Sequence, residues 1–222
     1  MYLSLLLLTA DLPKMDLPSP CLCLVTNRQL IGCEEMLGAI KESVRGGVNM
    51  LQLREKDLPG QRLADIALRL YEVISSQTLL IINERIDVAA ITESHGVQLG
   101  EEGLSTNAAR AILGKDVLVG RSVHSVDGAK LAEQEGADFL LAGTMFPSST
   151  HPGEEAAGPR LVTRITSECS LPIIGIGGIN ESNVASVIEA GAQGVAVISA
   201  ILKSSDPNLA ARNLMDSMLA AM

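Results

Sequence analysis

Short apolar stretches alternate with segments of helical spacing along almost the whole chain. Eight stretches have the length and composition of buried β-strands: Cys21–Thr26, Val48–Leu53, Leu79–Asn83, Gly96–Leu99, Val117–Gly120, Asp138–Ala142, Ile173–Gly175 and Gly194–Ile198. Helical patterns lie between or after them: Glu34–Arg45, Gln61–Ile74, Asp87–Thr92, Thr106–Leu113, Val126–Gln134, Leu161–Ser167, Glu181–Glu189 and Pro207–Ala221. Eight such alternations predict a single (β/α)8 barrel, the TIM barrel of the α/β class. A doubly wound sheet is the main alternative, but its glycine fingerprint is missing after the first strand.

Composition supports the barrel and narrows the range of partners. Hydrophobic residues make up 47% of the 222 residues, but there are only two Phe, two Tyr and no Trp. The core is therefore aliphatic, which suits parallel strands buried on both faces. The lack of aromatic platforms and the net charge of −9 argue against a nucleic-acid partner. The apolar run Leu3–Leu8 is far too short to span a bilayer, so we expect no membrane partner.

The N-terminus and the cysteines are expected to carry no chemistry. We expect residues 1–18 to be a poorly ordered extension, or an upstream start with Met15 as the true first residue, and residues 19–222 to form the barrel domain. Cys21, Cys23, Cys33 and Cys169 do not have metal-ligand spacing. They are interpreted as reduced core thiols of a cytoplasmic protein.

Polar side chains collect where the predicted strands end, which is where barrel enzymes build their active sites. In chain order these are Gln52, Arg54, Glu55, Lys56, Asn83, Glu84, Arg85, Gln98, Glu101, Glu102, Arg121, Ser122, His124, Thr144, Ser148, Ser149, Thr150 and His151. Gln52 and Arg54 alternate with leucines along one strand, so both should face the barrel mouth. A structural ion pair, for instance between Arg54 and Glu84, is the alternative.

His124 is the candidate acid–base residue, because it directly follows the fifth predicted strand and imidazole exchanges protons near neutral pH. A surface or packing role is the alternative for a single histidine. Ser122 and Ser125 are candidates for orienting its ring. The stretch 143–159 holds three Pro and three Gly without periodicity. A loop of that length at a strand end is usually functional, and closure over a substrate is the hypothesis.

The stretch Leu171-Pro-Ile-Ile-Gly-Ile-Gly-Gly-Ile-Asn180 predicts a buried strand, a glycine turn and a helix that opens at Asn180 and Glu181. Glycines let the backbone approach a ligand, and a helix start offers free N–H groups. Together with the end of the eighth strand, this predicts a phosphate site formed by Gly175, Gly177, Gly178, Ser199 and Ala200. A tight turn that binds no ligand is the alternative.

Several short motifs follow one another in a recognisable order: Gln52-Leu-Arg-Glu-Lys56, Asn83-Glu-Arg-Ile-Asp87, Gly96-Val-Gln-Leu-Gly100, Gly120-Arg-Ser-Val-His124, Gly175-Ile-Gly-Gly178 and Ser199-Ala-Ile201. The set resembles the thiamine phosphate synthase / thiazole tautomerase (TenI-like) family, and the resemblance covers nearly everything from Cys21 to Ala220. The resemblance implies a barrel enzyme of thiamine biosynthesis that acts on a thiazole phosphate and associates into homo-oligomers as many members do. It assigns proton transfer to His124, the phosphate to the glycine turn, and substrate contacts to Gln52, Arg54, Lys56, Asn83, Arg85, Ser122, Thr144, Ser148 and Thr150.

Departures from the family pattern bear on which activity the resemblance implies. The synthase joins a pyrimidine diphosphate to a thiazole phosphate with Mg²⁺, and such members often have Asn-Asp-Asp and Gly-Gln-Glu-Asp at the third and fourth strand ends. Here Glu84 and Arg85 replace the two aspartates of the first motif, Gly103 replaces the aspartate of the second, and His151 stands where a lysine is usual. Tautomerase members have the Asn83, Arg85, Asp87 pattern and the His124 motif.

The leading hypothesis is therefore a thiazole tautomerase that needs no cofactor, with His124 as acid and base. The alternative is the synthase itself, with Mg²⁺ held by Glu84, Glu101 or Glu102. A third hypothesis is a binding protein for thiamine precursors that has lost turnover.

Overall fold

Eight parallel strands close into a barrel in the order of the sequence, with helices packed around the outside, as predicted. The computed structural model describes residues 16–147 and 156–222. The strands are β1 (Cys21–Val25), β2 (Met50–Leu53), β3 (Leu79–Asn83), β4 (Gly96–Leu99), β5 (Leu118–Val123), β6 (Phe139–Ala142), β7 (Ile173–Ile176) and β8 (Gly194–Val197). The helices are α1 (Arg28–Ile31), α2 (Cys33–Arg45), α3 (Gly60–Tyr71), α4 (Ile86–Ile91), α5 (Thr106–Leu113), α6 (Val126–Gln134), α7 (Pro159–Thr166), α8 (Val184–Glu189), α9 (Ser199–Leu202) and α10 (Pro207–Ala220).

The strands are apolar on both faces because each face packs into its own core. The larger core lies between the strands and the helices, and a smaller one fills the barrel interior. Phe139 is the bulkiest side chain of the interior core, where the Sγ of Cys21 lies 4.0 Å from the Sδ of Met50. Burial raises the pKa of the Cys23 thiol to about 12, so this thiol stays protonated. Cys21, Cys23 and Cys169 are buried free thiols as expected, and Cys33 is half-buried.

Three local features differ from the sequence-based expectations. Strand β5 continues to Val123 rather than ending at Gly120. Helix α8 begins at Val184, because the residues after the glycine turn form a side-chain-stabilised turn in which Asn180 Oδ1 accepts the N–H of Ser182 at 2.9 Å. The one-turn helices α1 and α9, which follow β1 and β8, have too few residues to show a helical period.

The chain enters the barrel beside the start of β8. Gln193 donates its Nε2 to the carbonyl of Pro18 at 3.0 Å and to that of Leu17 at 3.5 Å. Of the predicted extension 1–18, residues 1–15 lie outside the described residues. Within residues 16–147 and 156–222, no helix combines the length and the hydropathy that a bilayer crossing requires.

Candidate active site

A layer of polar side chains closes the barrel interior at the carboxyl ends of the strands. Alternation along the strands places Gln52, Asn83, Gln98 and Ser122 on the inward face, one layer above the apolar interior core. Gln52 donates its Nε2 to Asn83 Oδ1 at 2.9 Å, and Gln98 donates its Nε2 to Ser122 Oγ at 3.1 Å. The two glutamines are only 3% and 2% exposed, so these bonds satisfy amides that burial would otherwise penalise. The result is a fixed polar floor to the mouth.

The end of β2 brings two cations to the mouth. Arg54 is half-buried, and its backbone N–H donates to Thr26 Oγ1 at 2.9 Å. Among the described residues no carboxylate forms an ion pair with the Arg54 guanidinium, so the predicted alternative of an Arg54–Glu84 pair is not formed. Lys56 is exposed instead beside Glu84, with Nζ 3.8 Å from Oε2.

Arg28 holds the two acidic residues of this strand end, a contact that the sequence analysis missed. Its guanidinium donates to Glu55 at 3.1 Å and to both oxygens of Asp57 at 2.8 and 2.7 Å. The hydrogen bonds from Arg28 lower the pKa of Asp57 to about 2. Arg28 lies more than twenty-five positions before Glu55 and Asp57 in the sequence. No local spacing could therefore have indicated these ion pairs.

Glu84 lies at the third strand end in an uncommon backbone conformation, with φ of 59°. Its Oε2 accepts a hydrogen bond from Asn83 Nδ2 at 3.3 Å. Its Oε1 lies against Gly100, where an added Cβ would come within 2.5 Å of that oxygen. The glycine at the fourth strand end therefore leaves room for this carboxylate.

The described residues fit a Mg²⁺ ion only in a limited way. No group of three acidic, histidine or cysteine side chains is placed to hold a metal within the described part of the chain. Mg²⁺, however, is often bound by one or two carboxylates together with water and the phosphates of its substrate. Glu84 can supply one such carboxylate beside Lys56, which follows β2. Glu101 is engaged elsewhere, and Glu102 is exposed.

Arg85 is already paired in the structure. It forms a bidentate ion pair with Asp87, with contacts of 2.8 and 2.5 Å, and packs against Gly60 at the start of α3. The hydrogen bonds raise the pKa of Arg85 and lower that of Asp87. A substrate contact by Arg85 stays a prediction, and it would have to compete with this pair.

His124 lies beside a carboxylate from the neighbouring strand end. Its Nδ1 is 2.5 Å from Oε2 of Glu101, and both side chains are about half exposed. Arg121 fixes the segment that carries Glu101, donating to the carbonyls of Glu101 and Leu104 at 2.8 and 2.6 Å. Ser122 and Ser125 do not orient the ring as expected, because Ser122 accepts from Gln98 and Ser125 caps α6.

The glycine turn after β7 has a packing role of its own. Gly177 and Gly178 have φ of 105° and 62°, and the carbonyl of Gly177 accepts the N–H of Phe146 at 3.0 Å. Gly175 packs under α8, where an added Cβ would lie 2.5 Å from Val187. The phosphate contacts predicted for Gly175, Gly177, Gly178, Ser199 and Ala200 stay predictions, and the late start of α8 separates its N–H groups from the turn.

The segment after β6 reaches the same turn. Thr144 packs against Gly177, and its carbonyl accepts the N–H of Ala157 at 3.0 Å. Ser148 and Thr150, with their neighbours Ser149 and His151, lie outside the described residues, as does the rest of 148–155 in the predicted loop 143–159. Thr144 is thus placed at the mouth, whereas the serine and threonine contacts stay predictions.

These features together define a barrel enzyme whose site offers cations, one available carboxylate and an imidazole–carboxylate pair. Comparison with known proteins narrows this class. The family model described as thiamine monophosphate synthase matches residues 22–201. The chain is 42% identical over 197 residues to a thiamine-phosphate synthase of Desulfitobacterium hafniense (strain Y51), covering 88% of this chain and 95% of the relative.

Two further comparisons agree with that match. A thiamine-phosphate synthase of Haloquadratum walsbyi is 41% identical over 187 residues, covering 81% of this chain and 82% of the relative. A solved structure, thiamine phosphate pyrophosphorylase from Pyrococcus furiosus, superposes with a TM-score of 0.83 at 30% identity, covering 91% of this chain and 96% of that one. The chain belongs to the thiamine monophosphate synthase family, as its motifs predict.

Proposed function

We propose that this protein is a thiamine-phosphate synthase, which joins hydroxymethylpyrimidine diphosphate to a thiazole phosphate and releases pyrophosphate. The relatives that match most of its length carry that name, which supports the synthase over the tautomerase favoured by the motif departures. The structural observation that carries the proposal is the arrangement at β2 and β3. There Arg54 pairs with none of the described carboxylates and Lys56 Nζ lies 3.8 Å from Glu84 Oε2, a set of groups that suits a diphosphate and its accompanying cation.

The reaction breaks one bond and forms another at the same carbon. The bond from the pyrimidine methylene carbon to the diphosphate oxygen breaks, and its electron pair leaves with pyrophosphate. The lone pair of the thiazole nitrogen forms the new bond to that carbon. Charge therefore accumulates on the leaving pyrophosphate, where fixed cations are most effective.

This chain's residues divide between the two substrates. Arg54 and Lys56 bind the diphosphate, and the amide pair of Gln52 and Asn83 orients a ring above the mouth floor. A Mg²⁺ ion bound with the diphosphate, held on the protein side by Glu84, would neutralise further negative charge. The glycine turn after β7 and the start of α9 bind the thiazole phosphate through backbone N–H groups.

The tautomerase remains a second candidate because of one observation. A carboxylate 2.5 Å from Nδ1 of His124 leaves Nε2 as the nitrogen that exchanges a proton with a substrate. In that reaction His124 takes a proton from one ring position of a thiazole carboxylate phosphate and returns it at another, while Glu101 stabilises the imidazolium. No metal takes part in this proton shift.

Both reactions should be assayed on one preparation, with and without Mg²⁺. The synthase proposal predicts thiamine phosphate formation that stops with EDTA and falls at least about 10-fold in Arg54→Gln, since a charge-assisted contact is worth about 1.5–3 kcal/mol. The matched variant His124→Asn then loses less synthase activity than Arg54→Gln. Isomerisation of the thiazole without any thiamine phosphate would overturn the proposal. Binding of both precursors without turnover would leave the third hypothesis, a binding protein.

A further inference from the structure

The end of β2 carries alternating charges at four successive positions. Arg54 and Lys56 are cations, whereas Glu55 and Asp57 are acidic. The four charges lie on consecutive residues at the end of β2 and in the turn that follows it, so unpaired carboxylates would cancel much of the field of the cations. The whole chain carries a net charge of −9, which adds to the difficulty of attracting an anion. An anion site at this position needs the two carboxylates to be neutralised.

Arg28 of α1 engages both of them. Its Nη1 lies 3.1 Å from Glu55 Oε2 and 2.8 Å from Asp57 Oδ1, and its Nη2 lies 2.7 Å from Asp57 Oδ2. The backbone N–H of Arg28 also donates to Glu55 Oε1 at 3.0 Å. All four carboxylate oxygens therefore face the same arginine, a geometry that its planar fork allows. None of these contacts involves Arg54 or Lys56.

Burial shows that the arrangement is more than a surface ion pair. The Glu55 side chain is 2% exposed and that of Arg28 is 23% exposed, whereas Asp57 is half exposed. A buried carboxylate without a partner is strongly unfavourable, so Glu55 depends on Arg28. The hydrogen bond from Arg54 N–H to Thr26 Oγ1 fixes the same segment from the β1 side. The backbone that carries the two cations is thus held from two directions.

We propose that Arg28 is a positioning residue, which sequesters Glu55 and Asp57 so that Arg54 and Lys56 can bind a phosphate-type anion at the mouth. Arg28 itself does not contact the substrate. The identity of the anion as a diphosphate rests on the proposed synthase function. The charge arrangement does not, and it can be tested by binding alone.

The test measures the affinity of each variant for inorganic pyrophosphate in the presence of Mg²⁺ by calorimetry. Arg28→Gln removes the cation that neutralises Glu55 and Asp57, and its dissociation constant for pyrophosphate is expected to rise at least about tenfold. The triple variant Arg28→Gln/Glu55→Gln/Asp57→Asn removes both negative charges, so affinity should return to within about threefold of the wild type. A merely structural bridge would not be rescued in this way, because the triple variant cannot form the ion pairs either.

The matched control is Arg69→Gln. Arg69 contacts both carboxylate oxygens of Glu34 at 3.0 and 2.9 Å on the outer helices, so its loss removes one positive charge and one ion pair at another place. Its affinity for pyrophosphate should stay within threefold of the wild type. Urea titration of each variant shows whether it is folded under the conditions of the pyrophosphate binding experiment.

If Arg28→Gln does not fold, Asp57→Asn alone decides the question. The proposal expects pyrophosphate to bind as well or more tightly, because Arg28 keeps Glu55 paired, and tenfold weaker binding would overturn it. Unchanged affinity in a folded Arg28→Gln, no rescue in a folded triple variant, or no pyrophosphate binding by the wild type would each overturn it too. If the variants show these affinity changes but the wild type makes no thiamine phosphate, the synthase proposal is refuted and the role of Arg28 is supported.

Discussion

Replacing Gly178 with alanine tests whether the glycine turn holds the segment that follows β6. Gly178 has φ of 62°, a conformation that L-residues rarely adopt. An alanine Cβ would lie 2.6 Å from the carbonyl oxygens of both Phe146 and Pro147. These are backbone atoms, so no side-chain rotation can relieve the contact. Gly136 provides the matched control, since its φ is 81° but nothing lies within 4 Å of an added Cβ.

Both substitutions place an L-residue in the left-handed backbone conformation, but only Gly178→Ala also forces a methyl group against backbone atoms. The left-handed conformation costs an L-residue about 1–2 kcal/mol at either position. Forcing a methyl group into a packed site adds about 1–3 kcal/mol through backbone shifts. We therefore expect Gly136→Ala to lose about 1–2 kcal/mol of unfolding free energy and Gly178→Ala about 2–5 kcal/mol.

Urea unfolding at 25 °C, followed by circular dichroism and fluorescence of an external dye, measures the difference. Coincident transitions and equal m-values would justify comparing the free energies. Gly178→Ala should also raise KM for the thiazole phosphate, because the same turn is proposed to bind it. Equal stability losses in the two variants would refute the packing argument. If Gly178→Ala loses the expected stability but KM for the thiazole phosphate is unchanged, only the phosphate assignment is refuted.

Three further outcomes follow from particular contacts. Glu101→Gln should lower the rate of any reaction that uses His124 about 10- to 100-fold with little change in KM, and an unchanged rate would exclude the pair from catalysis. Burial lowers the pKa of His95, whose Nδ1 accepts the N–H of Leu80 at 2.9 Å. In the unfolded chain this histidine has its usual pKa of about 6.5. Near and just below that pH the unfolded chain therefore binds more protons than the folded protein, so the free energy of unfolding should fall as the pH drops from 7.5 to 5.5. His95→Gln should flatten that urea-midpoint profile, and an equally steep profile would contradict the assignment. Cys23, fully buried and with its pKa raised to about 12, should react with a thiol reagent only after unfolding.

The barrel could be predicted because its signal is local. Each strand is buried on both faces and is therefore a short aliphatic run, and each helix adds its own period. Strand β5 was predicted too short because Arg121 and Ser122 are polar. Arg121 donates to two carbonyls that follow β4, and Ser122 accepts from Gln98 of β4. These contacts form only when the two strands pair in the barrel, so the local sequence does not show them. One-turn helices such as α9 leave no periodic pattern to detect.

The positions of the candidate residues relative to the strands could be predicted, but their pairings could not. The strand-end rule depends only on topology, and the structure has Gln52 on β2, Arg54 directly after it and His124 directly after β5. Which acid meets which base depends on loop geometry across 23 to 29 residues. The sequence offered Glu84 as a partner for Arg54 and Ser125 as one for His124. In the folded chain Glu84 lies beside Lys56 instead, and His124 contacts Glu101.

The pairing of charges bears on the choice between the two candidate activities independently of the relatives' names. A tautomerase substrate carries one phosphate, for which the glycine turn after β7 is the proposed site, and a single carboxylate. Such a substrate needs no more than one bidentate arginine at β2. Within residues 16–147 and 156–222, no carboxylate pairs with the Arg54 guanidinium, Lys56 has Glu84 at 3.8 Å, and Arg28 occupies Glu55 and Asp57. Two cations at the end of β2 favour a second, more highly charged anion, which a synthase has among its substrates and a tautomerase does not.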